Sequence, residues 1–338
     1  MRELLKKLFD HKALSQDEAR RLLELITTAQ ASEVEVVAAI SALKMREIEV
    51  DEIKGFRNAL LDLAVKPELY TNEAIDVCGT GGDAKDTFNI STLAALVIAA
   101  SGYKVVKHGN YGVSSLVGSS SILEKSGYEF TVQNEILNAQ LEQCNITFLH
   151  APLFHPALKN VASIRKQLGI RTFFNYLGPL VNPAQPKYQL TGVYDLQLLR
   201  VYADILRTER THFKVIHNID GYDEVSCTAA FKIIDPHSIQ IKFPDQLGQE
   251  IIAPATIGSG GSLQSSLQIF NNVLKGEATK EQMQVVAVNA GLGIHCFKPE
   301  ETIESCISEA LQTIKSGIAA ENYKQLKQIK EHQKIAVS

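Results

Sequence analysis

The stretch from residue 74 to residue 115 constrains this chain more than any other feature. A short apolar run, residues 74–78 (AIDVC), turns at once into Gly79-Thr80-Gly81-Gly82-Asp83. After Asn89-Ile90-Ser91-Thr92 comes an apolar helical run, LAALVIAAS, closed by Gly102 at the position after the helix cap. A second apolar run, residues 103–107, opens into another Gly/Ser-rich string, HGNYGVSSLVGSS. Strand, loop and helix, twice over, predict parallel strands, because parallel neighbours need a crossover rather than a tight turn. In such sheets the loops that follow the strands share one edge, and ligands bind there. The two Gly-rich loops are therefore expected to be neighbours in space.

The alternation continues, with strands expected at residues 146–149, 189–193 and 213–216 and helices within 155–168 and over 196–206; from Ser262 onward the pattern is mostly helical. The first 66 residues have a different character. Ser15 with Glu18 and Ser32 with Glu35 read as capping boxes, each followed by apolar residues at helical spacing. A third amphipathic run covers residues 53–63, and Pro67 is expected to stop it. The expected fold is thus α/β: a small N-terminal all-helical domain, 1–66, and a large domain, 73–338, with a mainly parallel central sheet flanked by helices. A length of 338 residues agrees with about two domains.

Composition removes several function classes. The net charge is −4, which argues against duplex-DNA binding, where a basic domain is expected. Five cysteines stand singly at 78, 144, 227, 296 and 306, so neither a zinc ribbon nor a disulfide framework is indicated, and a reducing cytoplasm is the expected setting. The first twenty residues lack an apolar core of the kind a secretory signal has. The longest apolar run, residues 93–100, falls far short of the ~20 residues that span a bilayer.

Several residue groups can carry chemistry. Glycines directly after a strand let backbone N–H groups approach a phosphate. The 79–84 string even satisfies a G-x-G-x-x-A pattern, but the next helix starts only near Ser91 and the second strand ends in Lys107-His108 rather than in an acid for a ribose. Ser91 and Thr92 read equally as helix caps or as phosphate or metal-water ligands at a positive helix end. Lys107 offers a point charge for phosphate, and His108 and Asn110 are hydrogen-bonding groups for an aromatic acid. Asp223-Glu224 follow a strand and a glycine; adjacent acids are usually a solvated pair, yet on the ligand edge they make a hard oxygen site for Mg²⁺. Residues 258–262 (GSGGS) read as a loop and N-cap, and His150 and His155 lack a metal-binding spacing. Together the loops point to a doubly phosphorylated small substrate.

Five motifs occur in order: DVCGTGGD (76–83), DTFNIST (86–92), VVKHGNYGVSS (105–115), IRKQLGIRTFFNYLGPLVNPA (164–184) and GYDE (221–224). In this the chain closely resembles the anthranilate phosphoribosyltransferases. The resemblance covers nearly its whole length. It implies a homodimer that transfers the phosphoribosyl group of PRPP to the amine of anthranilate, the second step of tryptophan biosynthesis from chorismate, with two Mg²⁺ per monomer and without a covalent nucleophile. It implies PRPP binding by Gly79, Gly82, Asp83, Thr87, Asn89, Ile90, Ser91, Thr92, Lys107, His108, Gly109, Asn110, Ser114, Ser115 and Ser119. It gives anthranilate to Gly79, His108, Asn110 and Arg165, and metal to Ser91, Asp223 and Glu224. It also implies that part of 155–185 joins the helical domain and sets Arg165 at the domain cleft. Two positions depart from the family pattern, Tyr111 where HGNR is common and Ser121 where an Asp is common. A pyrimidine-nucleoside phosphorylase and a nucleic-acid-binding relative of the same fold are the alternatives; the first has a differently spaced Gly-rich loop, and the second should be basic with its metal-site acids eroded.

Overall fold

The structure is a computed structural model that describes residues 1–112, 117–209 and 212–330. In chain order the helices α1 (Arg2–Phe9), α2 (Gln16–Thr27), α3 (Glu33–Lys44) and α4 (Val50–Asp62) come first. Next are β1 (Ile75–Val77), α5 (Ile90–Ala100), β2 (Val105–Gly109), α6 (Ser119–Lys125), α7 (Asn134–Cys144) and β3 (Ile146–His150). Three short helices follow, α8 (Ala151–Phe154), α9 (Lys159–Leu168) and α10 (Phe174–Leu177). The chain then runs through β4 (Tyr188–Gly192), α11 (Leu196–Glu209), β5 (His212–Asn218), β6 (Phe231–Ile234) and β7 (Ile239–Lys242). It closes with α12 (Leu263–Lys275), α13 (Lys280–Phe297), α14 (Ile303–Ser316) and α15 (Ile318–Leu326).

Contacts divide the chain into two compact units. One is Met1–Pro67 with Ala151–Gln185; the other is Glu68–His150 with the residues from Pro186 onward. In the helical unit, Ser15 and Ser32 each accept from the backbone of the glutamate three residues on, which satisfies orphan N–H groups at the starts of α2 and α3. The fourth helix, α4, which contains the third amphipathic run, ends at Asp62, before Pro67 can act on it. Within this unit Asn160 donates to the Thr27 carbonyl at 2.6 Å, and the Phe56 ring of α4 stacks on Phe173 at 4.4 Å.

The large unit is a seven-stranded sheet in the order β3-β2-β1-β4-β5-β6-β7. Strands β1 to β5 are parallel, and β6 and β7 run antiparallel at one edge. That antiparallel pair went unread in the sequence. Along β7, Ile239 and Ile241 stay exposed, so it lacks the buried face that marks a strand. From β1 the chain builds outward to β2 and β3, then returns to the other side of β1 as β4, so the strand order reverses between β1 and β4. At such a reversal the loops at the carboxyl ends diverge and leave a crevice. Two helices pack close behind it, buried along most of their length: α5, apolar on nearly all sides, and α13. A Cβ on Gly293 of α13 would overlap the Ile98 side chain of α5, so glycine permits that approach.

Candidate active site

The Gly-rich turn, the start of α5 and the acid pair meet at the carboxyl edge of β1, β4 and β5. The Gly81 N–H donates to Asp223 Oδ2 at 2.6 Å. Gly81 and Gly82 both have positive φ, +65° and +79°, which a side chain would strain. Glu224 Oε1 accepts from the Ser91 N–H at 2.8 Å and from Ser91 Oγ at 2.6 Å. The first turn of a helix favours negative charge, so the contact is favourable on both counts. Helix α5 begins at Ile90 with Asn89 as its N-cap, so Ser91 and Thr92 lie inside the first turn and are not its caps. Asn89 is not a side-chain cap either; its Nδ2 donates to the Val117 carbonyl at 2.9 Å and ties this turn to the second Gly-rich loop.

Three carboxyl groups crowd here. Burial raises Asp223 well above the usual carboxylate range, and the charges of Glu224 and Asp83 add to it. Glu224 is pushed up to about 7 by burial against the opposing Ser91 hydrogen bond, with Asp83 raising it further. Asp83 is raised by burial as well, although the Lys85 N–H donates to it at 3.2 Å. Lys107 is 3% exposed, donates to the Val77 carbonyl at the end of β1, and lies near enough to ease Glu224. Among the described residues no group of three or more His, Cys, Asp or Glu closes on one point as a metal site. Two protein carboxylates completed by phosphate oxygens and water are what Mg²⁺ prefers, and a divalent cation answers the mutual repulsion of these acids.

The second loop is built on β2 and α6. Asn110 is exposed; its carbonyl accepts from Ser119 Oγ at 3.0 Å, and its Oδ1 accepts from the Tyr111 N–H at 2.8 Å. Gly109 lies against Ser119, and a Cβ on Gly118 would overlap Gly112. His108 is buried and its N–H donates to Asp76 Oδ1 at 3.1 Å. Tyr111, at the first departure from the family pattern, donates its OH to Glu124 Oε1 of α6 at 2.8 Å and sets its ring edge against His150 at 4.8 Å. Ser121 lies half-buried on α6. Ser114 and Ser115 lie outside the described residues.

A contact between distant segments, which no sequence motif announces, holds the first loop. Thr87 bridges Gly258, Ser259 Oγ donates to Asp86 Oδ2 at 2.8 Å, and Ser262 caps α12. The GSGGS string is therefore loop and N-cap, and it also clasps the DTFN turn. Thr80 Oγ1 is buried without a hydrogen-bond partner in the same turn. Gly79 and Gly192 lie against Asp223, where a Cβ on Gly79 would stand 2.5 Å from Oδ2 and one on Gly192 would overlap the Asp223 carbonyl. Arg165, on α9 of the helical unit, is half-buried with its guanidinium 4.9 Å from the Phe174 ring centroid, and burial lowers its pKa. It forms no ion pair with a carboxylate among the described residues.

A parallel sheet with a Gly-rich turn, a helix start and two acids at its reversal point, preceded by a helical bundle, defines a glycosyl transferase of two domains. The model of the glycosyl transferase family helical bundle domain matches residues 2–64, and that of the family's a/b domain matches residues 71–320. The anthranilate phosphoribosyltransferase of Bacteroides fragilis is 46% identical over 96% of this chain and 98% of its own, and that of Christiangramia forsetii is 42% identical over 98% and 100%. This chain belongs to the anthranilate phosphoribosyltransferase family. The Thermus thermophilus anthranilate phosphoribosyltransferase is similar in fold, with a TM-score of 0.90 at 29% identity, covering 96% of this chain and 98% of that one. The Saccharomyces cerevisiae enzyme, solved in complex with PRPP and Mg, shares the fold with a TM-score of 0.89 at 24% identity over 97% and 96%.

Proposed function

We propose that this chain transfers the 5-phosphoribosyl group of PRPP to the amine of anthranilate, giving N-(5-phosphoribosyl)anthranilate and pyrophosphate. The observation that carries this is the convergence of Gly81, Ser91, Asp223 and Glu224 on the carboxyl edge at the strand-order reversal, in a chain of this family. The C1–O bond to pyrophosphate breaks with its electron pair leaving on oxygen, while the amine lone pair forms the C1–N bond and the extra amine proton passes to solvent. Negative charge grows on the departing oxygen. The backbone of residues 79–82, the first turn of α5 and Lys107 supply positive potential for it. The aromatic amine is neutral and needs orientation more than activation.

Asp223, Glu224 and Ser91 are the groups we assign to Mg²⁺, two ions per protomer. When bound, magnesium supplies positive charge to the pyrophosphate oxygens. PRPP is assigned to Gly79, Gly82, Asp83, Thr87, Asn89, Ile90, Ser91, Thr92, Lys107, His108, Gly109, Asn110 and Ser119, and to Ser114 and Ser115, which lie outside the described residues. Anthranilate is assigned to Gly79, His108, Asn110 and Arg165, whose guanidinium has no competing carboxylate among the described residues and suits a carboxylate ligand. The protein is read as a cytoplasmic homodimer. In support, all five cysteines are free thiols, four of them buried, and no described helix is long and apolar enough to cross a membrane.

The test is the fluorescence of anthranilate, which falls as the amine is ribosylated. Purified protein with PRPP and Mg²⁺ should quench it, and omission of either should stop the decay. Steady fluorescence with all three present would defeat the assignment.

A further inference from the structure

The acid pair sits in no regular element, since residues 219–230 join β5 to β6 as a loop. Something else must hold its carboxylates in place. Asn289 lies in the middle of α13 and is 2% exposed. Asparagine is a poor choice for a helix interior, because its amide competes for backbone groups. Here that amide is fully engaged. Nδ2 donates to the Val225 carbonyl at 2.9 Å and to the Val285 carbonyl at 2.9 Å, while Oδ1 accepts from the Val225 N–H at 3.1 Å. One side chain thus grips both backbone groups of Val225 as a neighbouring strand would. Val225 is fully buried and directly follows Glu224. Gly192 closes the other side by admitting the Asp223 carbonyl where a Cβ would overlap it.

We infer that Asn289 is a positioning residue, which fixes the backbone at Val225 so that Asp223 and Glu224 present their carboxylates to the metal-pyrophosphate group. This rests on the reading of the acid pair given above. Val225 has no solvent to turn to. Without the amide, its N–H and carbonyl stay unpaired or the loop moves to pair them. Either outcome shifts the residue next in chain, and small misplacements of charged groups are costly at a reacting centre.

The experiment compares Asn289→Ala with Val288→Ala, a core truncation one position away. Titration calorimetry with Mn²⁺ and inorganic pyrophosphate gives a readout independent of turnover. Asn289→Ala should weaken that binding by about 10–100-fold, the usual cost of losing a partner that orients a metal ligand. Its Mg²⁺ requirement in turnover should rise to match, and its KM for anthranilate should stay unchanged. Val288→Ala should lower Tm and leave binding intact. Unchanged pyrophosphate affinity in folded Asn289→Ala, or an equal loss in Val288→Ala, would overturn the inference. If Asn289→Ala does not fold, Asn289→Gln keeps a buried amide displaced by one methylene, and normal affinity there overturns it too. Wild-type protein that binds Mn²⁺-pyrophosphate yet leaves anthranilate fluorescence unchanged refutes the proposed reaction, while the Asn289 comparison still stands on binding.

Discussion

At the scale of single residues, the acids at the crevice have an environment that makes their charge costly. Asp223 is 8% exposed, its carboxylate accepts a backbone N–H from a glycine turn, and burial makes its charge costly. A pyrophosphate brought to this place would add to the repulsion unless a cation came with it. The double change Asp223→Asn, Glu224→Gln keeps volume and removes both charges. Its kcat should fall by roughly 10²–10³, the scale of losing one preorganised charge contact, and the Mg²⁺ needed for half-maximal rate should rise. Near-normal turnover with an unchanged Mg²⁺ response, measured by the fluorescence decay, would remove the pair from the mechanism. Arg165 makes a different prediction. Its guanidinium packs on Phe174 and, among the described residues, forms no ion pair that would give it a purely structural task. Arg165→Ala should raise the KM for anthranilate far more than the KM for PRPP; equal changes in the two would assign the residue to folding instead.

Elements place these residues, and they show what the sequence could and could not reveal. The alternation of apolar runs with Gly-rich strings foretold the parallel strands, because a buried strand and the loop at its carboxyl end have compositions that differ sharply. The capping boxes at Ser15 and Ser32 were legible for a similar reason, since each is a local hydrogen-bonding pattern. Contacts between distant segments were not legible. Nothing near Ser259 announces that it clasps Asp86, and nothing near Asn289 points to Val225 sixty-four positions away. Helix α1 falls within the all-helical 1–66, but its own bounds were not legible, as no side chain caps it. The junction of β3 with α6 offers a pH test. His150 ends β3, bonds Ser120 Oγ of α6 through Nδ1 at 2.8 Å, and stacks on Phe130 at 4.6 Å. Burial lowers its pKa, against a smaller opposite pull from Glu124. Below about pH 6.5 the unfolded chain binds a proton at this position that the folded chain resists. The stabilising contribution of His150 is therefore complete above that pH and is lost as pH falls beneath it. The Tm difference between wild type and His150→Gln should shrink from pH 7.5 to pH 5.5. A gap that widens on acidification would mean that the folded imidazole prefers its proton.

For the whole molecule, charge and fold together select among ligands. The chain carries −4 overall and keeps Asp83, Asp223 and Glu224, so a nucleic acid finds no general electrostatic attraction and meets carboxylates at the sheet's ligand edge. A nucleoside brings a ribose but no pyrophosphate, and so engages neither the cation that the acids call for nor the backbone of the Gly-rich turn. PRPP with Mg²⁺ engages both. A ligand that binds only the folded state stabilises it by RT ln(1 + [L]/Kd), about 2.7 kcal/mol at a hundredfold excess over Kd. For an α/β unit of this size that corresponds to a rise in Tm of about 5–10 °C. PRPP and Mg²⁺ together should produce this shift in a thermal melt followed by circular dichroism. Mg²⁺ alone, nucleosides with phosphate, and single-stranded DNA at physiological salt should each give little. A larger shift with nucleoside and phosphate than with PRPP would move the chain to the phosphorolytic side of this fold. Protection by single-stranded DNA would mean that the acid pair has been kept for something other than a phosphorylated sugar.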